Sequence, residues 1–132
     1  MLSTRTLSTT SKTMKLKLFY AICPDYSTDP AQTLQQRLKV RSKHWERAQE
    51  DKKNGILYFG RGTVPPSNSS LHEVPDLPSG VQAMNGSIMF MRYQSIIEME
   101  DRIKSDIYYT DNVWDKEKIQ IGEFIRLPED DQ

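Results

Sequence analysis

Proton-transfer or nucleophilic chemistry at neutral pH has few candidate carriers in this chain, which holds two histidines and one cysteine among 132 residues. His44 lies in Lys39-Val40-Arg41-Ser42-Lys43-His44-Trp45-Glu46-Arg47-Ala48, a stretch with helical patterning. Imidazole titrates near pH ~6.5 and can both take and return a proton, so His44 is the candidate acid–base group. A carboxylate on its other ring nitrogen would fix the tautomer and stabilise the imidazolium. Asp106 can supply it if the two helices lie side by side on a sheet. Arg41, one helical turn before His44, could bind an anionic substrate or neutralise Asp106. The competing reading is a surface histidine at the edge of an amphipathic helix.

The remaining reactive types read as structural. Cys23 closes a strand without a neighbouring base in sequence and fits a small buried hydrophobe better than a thiolate nucleophile. His72 stands beside Glu73 in a proline-rich stretch and reads as solvated. Two histidines and one cysteine offer no ligand spacing for zinc, so neither a protein metal site nor a cofactor is expected. Gly60-Arg61-Gly62 is too short for a nucleotide fingerprint and reads as a bend bringing backbone N–H groups to a cleft. Trp45 and Trp114 read as core before pocket lining, and Tyr108-Tyr109 fits either role.

The elements that must position these groups follow from periodicity. Lys15 to Cys23 alternates as a strand that Pro24 ends. Asp29-Pro30 opens a helix, with the aspartate as N-cap and proline at the first position. Leu34, Leu38, Trp45 and Ala48 share a stripe that Arg41 and Ser42 interrupt, so the element reads as one helix or as two with a break near Val40 to Ser42. Asn54-Gly55 caps the element, and Ile56 to Phe59 reads as a buried apolar strand ending in the glycine motif. Thr63 to Asn85, with four prolines, is a long connection of the kind that forms a lid, a dimer contact or a floppy loop. Gly86 to Tyr93 is a third strand, Ser95 and Glu98 have capping-box spacing before a short second helix, and Lys118 to Leu127 alternates again, with Ile119, Ile121 and Ile125 on one face.

The resulting order βαββαβ predicts an α+β, ferredoxin-like, four-stranded antiparallel sheet with two helices on one face. The uncovered face, expected to hold Phe19, Met89, Met91 or Phe124 according to register, is too apolar for water, which predicts a homodimer. Lys plus Arg and Asp plus Glu number 18 each, so no basic field speaks for nucleic acid. No run approaches 18 apolar residues, so no membrane span is expected. Residues 1–13 hold eight Ser or Thr, two bases and no acid, which suits a mitochondrial transit peptide or a disordered tail ahead of Met14. Together with the single cysteine, this points to the mitochondrial matrix or the cytoplasm. The domain is expected over residues 14–127, followed by the acidic tail 128–132.

The Arg41-Ser42-Lys43-His44 segment, the strand ending Gly60-Arg61-Gly62 and the sequence Asp106-Ile107-Tyr108-Tyr109 together resemble the YCII-related, or YciI-like, family over roughly residues 14–127. That family usually carries Gly-Pro at the glycine motif, where this chain has Gly60-Arg61 or Gly62-Thr63. The resemblance implies a dimeric α/β barrel, in which two ferredoxin-like units pack sheet to sheet around a small-molecule cleft. It also implies a His–Asp pair, here His44 and Asp106, with Arg41, Arg61 and Tyr108 as substrate-binding candidates. The broader fold group includes muconolactone isomerases and dehydrochlorinases, so the implied chemistry is a lyase or isomerase reaction. A non-catalytic metabolite-binding or dimerisation module is the alternative.

Overall fold

The structure, a computed structural model, describes residues 15–75 and 77–131. The Ser/Thr-rich segment 1–13 and Met14 lie outside the described residues. Strand β1, Lys17–Pro24, alternates in burial: Phe19, Ala21 and Cys23 are enclosed, whereas Leu18, Tyr20 and Ile22 remain partly accessible. Helix α1, Pro30–Lys53, begins where Asp29 accepts the Gln32 N–H at 3.2 Å and Pro30 fills the first turn. It runs unbroken through Val40 to Ser42, one helix rather than two. Arg41 and Ser42 both point to accessible positions, so neither buries a polar group, and no glycine or proline interrupts the ladder. The helix stops at Asn54, and Gly55 supplies the left-handed turn at φ 77°.

Strand β2, Leu57–Thr63, is an edge strand, because the antiparallel sheet has the order β2-β3-β1-β4. That position corrects the expectation of a buried run. The register slips between Leu57 and Phe59, and Tyr58 and Phe59 are exposed. Gly60, Arg61 and Gly62 form no bend; they pair in the ladder with Met89, Ile88 and Ser87 of β3, Gly86–Tyr93. Helix α2, Ile96–Lys104, carries the full capping box, the Ser95 hydroxyl accepting the Glu98 N–H while the Glu98 carboxylate accepts the Ser95 N–H. A one-turn helix α3, Ile107–Thr110, follows with Asp106 as its cap. Strand β4, Gln120–Glu123, is shorter than expected; Ile119 and Ile121 pack on the core, but Ile125 is 79% exposed beyond its end. Residues Pro128–Asp131 make one 3-10 turn.

The sheet's covered face meets α1 and α2 through Phe19, Val40, Met89, Met91, Met99 and Ile103. Phe19, Met89 and Met91 therefore lie under the helices rather than on the open face, a correction to the sequence reading. Alternation separates two faces, but which face meets the helices is decided by the crossovers. Of the four residues expected on the open side, Phe124 is the one found there. It packs edge-on against Tyr20 at 5.3 Å and Phe90 at 5.1 Å, and Phe90 in turn lies 5.8 Å from Phe59.

The long connection is not structureless. A 3-10 turn, Ser70–Glu73, folds Leu71, Val74 and Ala83 against Leu34 and Leu38 of α1, making a second small core. His72 is tied down too, its Nε2 at 3.2 and 3.0 Å from the carbonyls of Pro65 and Pro66, where a ring N–H donates to them. Leu71→Ala is expected to cost about 2–5 kcal/mol in urea unfolding. In limited proteolysis its first cuts should fall between residues 64 and 85, where the wild type resists.

Candidate active site

Helix α1 sets Arg37, Arg41, His44 and Ala48 along one stripe, because residues three and four apart share a face. That stripe stands opposite Gly60 to Gly62 of β2 and Ser87 and Met89 of β3, and between them opens a cleft of about 400 Å³. Arg37, Arg41, Lys52 and Arg61 contribute four cations to its wall, and among the described residues no carboxylate lines it.

His44 is 17% exposed at this wall, and its Nδ1 stands 2.8 and 2.9 Å from the two oxygens of Asp106. Asp106 is enclosed, and its other partners also donate: Tyr108 N–H to Oδ1 at 2.9 Å and Arg102 Nη1 to Oδ2 at 2.9 Å. An ionised carboxylate only accepts, so a proton sits on Nδ1, and in the neutral form of the ring the Nε2 lone pair is the one left available. The imidazole lies flat on the Tyr108 ring at 4.0 Å and meets Trp114 edge-on at 5.9 Å. Behind Asp106, Arg102 Nε donates to Asp51 at 2.7 Å, completing a buried row Asp51–Arg102–Asp106–His44. Burial pushes the Asp106 carboxyl up, but the His44 bond and charge, then Arg102 and the Tyr108 N–H, outweigh it and hold the group below the usual carboxylate range.

A second network floors the cleft. Arg37, 2% exposed, donates to both oxygens of Asp25 at 2.8 and 3.0 Å and to Ser87 Oγ at 2.7 Å. The same Ser87 oxygen accepts the indole N–H of Trp114 at 3.1 Å. The Arg37 guanidinium also covers the Tyr108 ring at 4.4 Å. Burial pushes the Asp25 carboxyl up, against the opposing pull of Arg37.

The structure thus brings His44 and Asp106 into contact. Arg41 lines the cleft as an exposed cation, but the neutraliser of Asp106 is Arg102. Arg61 lies at the rim, its Nη1 turned onto the Gly60 carbonyl at 2.9 Å and its guanidinium over Phe59. Tyr108 is a buried wall beneath the imidazole. Trp114 is core, as read from sequence, whereas Trp45 is 59% exposed at the cleft mouth. Burial raises the Cys23 thiol to about 12, which keeps it protonated and rules out the thiolate. Sequence reasoning missed Arg37, Ser87, Asp25, Asp51 and Arg102. For two of these a signal was present: Arg37 occupies the buried stripe of α1, and Arg102 is spaced i,i+4 from Asp106.

The chain has an α+β, ferredoxin-like fold, a four-stranded antiparallel sheet with its helices on one face. A solved structure of similar fold, itself of the dimeric α/β-barrel type, is 5-chloro-2-hydroxyhydroquinone dehydrochlorinase (TftG) from Burkholderia phenoliruptrix AC1100, in complex with 2,5-dihydroxybenzoquinone. It matches with a TM-score of 0.62 over 85% of this chain and 97% of its own, at 16% identity. That likeness carries the fold alone. No protein-family model matches the chain, and no curated protein sequence matches it.

Arg102→Met should cost about 3–5 kcal/mol in chemical denaturation at pH 7, because it strands two buried carboxylates. Asp106 has a lowered folded pKa, so its ionised form stabilises the fold above the unfolded value near ~3.9, and that stability is lost as pH falls below it. Asp106→Asn should therefore show a shallower loss of stability below pH about 4 than the wild type, measured by urea midpoints across pH.

Proposed function

We propose that this chain is a YciI-like enzyme, a lyase or isomerase that moves a proton on a cyclic or aromatic acid. The supporting observation is the pairing of His44 Nδ1 with an enclosed Asp106 carboxylate while the ring opens onto a cleft walled by cations. In this reading Nε2 removes a proton from a ring carbon beside a carbonyl, and the C–H electron pair moves into the ring as an enolate. That pair then expels a leaving group from the neighbouring carbon, or the imidazolium returns the proton at another position. Asp106 keeps the tautomer and stabilises the imidazolium. Arg41 or Arg61 holds the substrate carboxylate, and Tyr108, its ring between His44 and Arg37, keeps both in place at the cleft. The protein of similar fold described above is a dehydrochlorinase of 5-chloro-2-hydroxyhydroquinone, which agrees with this class. A non-catalytic metabolite-binding module would use the cations, but it gives no reason for a histidine with a fixed tautomer at the wall.

The same proposal places a second copy of the chain on the open face of the sheet. Tyr20, Phe59, Phe90 and Phe124 form an aromatic cluster there, of which Phe59 and Phe124 are exposed. In sedimentation the wild type should run as a dimer and Phe90→Glu as a monomer; a wild type that stays monomeric at high concentration overturns this part.

The chemistry is tested by a thermal-shift screen of ring-bearing carboxylic acids, in which a ligand at a hundred times its Kd stabilises by about 2.7 kcal/mol. Ligands found are then incubated with protein in heavy water, and deuterium incorporation is followed by mass spectrometry. Wild type should exchange a ring proton, and His44→Ala should lose about 10²–10⁴-fold in rate. Equal exchange by the two proteins ends the proposal.

A further inference from the structure

The floor of the cleft contains two buried donors whose hydrogen-bonding capacity is only partly used. Arg37 Nε and Nη2 are taken by Asp25 and Ser87, but Nη1, on the cleft side, has only the Met84 thioether at 3.7 Å. A thioether is a weak acceptor, so this corner of a buried guanidinium is held in place yet poorly satisfied. Ser87, 4% exposed, accepts from both Arg37 and Trp114, which occupies both lone pairs of its oxygen. Its hydroxyl proton is then its one remaining capacity, and among the described residues it has no acceptor. Both residues line the same cleft as His44, and Arg37 and His44 both rest on the ring of Tyr108.

We propose that Arg37 Nη1 and Ser87 Oγ are a donor pair that binds a ring oxygen of the substrate, with Met84 Sδ standing where that oxygen sits. The ligand class is then a planar ring bearing a carbonyl or phenolate oxygen next to the carbon whose proton moves. This deepens the reading given above and rests on it: when His44 removes the proton, the negative charge that develops on the oxygen falls on donors already oriented by Asp25 and Trp114. Preorganised donors of this kind strengthen as the charge grows and need no rearrangement at the moment of reaction. Arg41 and Arg61, exposed at the rim, are left to hold a carboxylate. Gly62 belongs to the same arrangement, because a Cβ there would come within 3.0 Å of Met84 Sδ and push it from its seat on Arg37.

The test uses 2,5-dihydroxybenzoquinone, a flat ring carrying only oxygen substituents, as the probe. Side-chain nitrogen signals of Arg37 and His44 are followed by NMR during titration of the labelled wild-type protein, and affinities of Arg37→Lys and Met84→Leu are measured by calorimetry. The expected result is that both residues' signals move together. Arg37→Lys should weaken binding about ten- to hundredfold, the loss of one charge-assisted hydrogen bond. Met84→Leu should bind the probe at least as tightly as the wild type, because it removes only a weak competitor. If His44 responds and Arg37 does not, or if a folded Arg37→Lys binds within twofold of wild type, the donor pair is wrong while the cleft reading stands. Loss of binding in Met84→Leu also overturns the pair, and silence of both residues ends the pair and the cleft reading together.

Discussion

The guanidinium of Arg102 is the joint on which the site depends. It sits in the interior between Asp51 of α1 and Asp106 at the start of α3, and bonds to each at under 3 Å. An isolated buried carboxylate would take up a proton rather than stay charged, and a protonated Asp106 could no longer fix the imidazole as an Nδ1–H donor. Arg102 therefore does two things at once. It welds the end of α1 to α2, and it keeps the residue that orients His44 in its anionic form. The position of the histidine and the packing of the two helices are consequences of one ion triad, and neither can shift without the other.

The second buried arginine plays a different part. Arg37 is held by a carboxylate, a hydroxyl and an aromatic face, and those partners come from the residue after β1, from β3 and from α3 rather than from its own helix. The two arginines thus anchor α1 at separate points along its length, with His44 between them. A helix fixed on both sides of His44 holds the imidazole within a narrow range of positions, which the proposed acid–base role requires.

Legibility in the sequence divides along the same line. Signals that act within one turn were visible: Asp29 with Pro30, the Ser95–Glu98 box, Asn54-Gly55, and the alternation of β1 and β3. The His44–Asp106 contact was proposed through the family resemblance and through helices lying side by side, and the coordinates show the two groups touching. What could not be read was non-local. The facing of Phe19, Met89 and Met91 depends on crossovers, the exposure of Tyr58 and Phe59 on β2 lying at an edge, and the pairing of Arg37 with Asp25 on a loop end meeting a helix. Arg41 drew notice because it stood beside the histidine, while the residues that neutralise and floor the site lay further off. The interrupted stripe of α1 fits one helix or two in sequence, and its cause is a single helix turning Arg37 and Arg41 toward a cavity.

The satellite core beneath the long connection has a consequence for how such a cleft diversifies. Met84, part of the outer wall, follows directly after Ala83, which is pinned with Leu71 and Val74 to the first turns of α1. None of these residues belongs to the sheet. Insertions, deletions or substitutions in that segment can widen, narrow or reshape the mouth while the ion triad, the strand ladder and the histidine keep their places. The outline of the cleft mouth and the placement of the histidine are thus carried by separate segments of the chain.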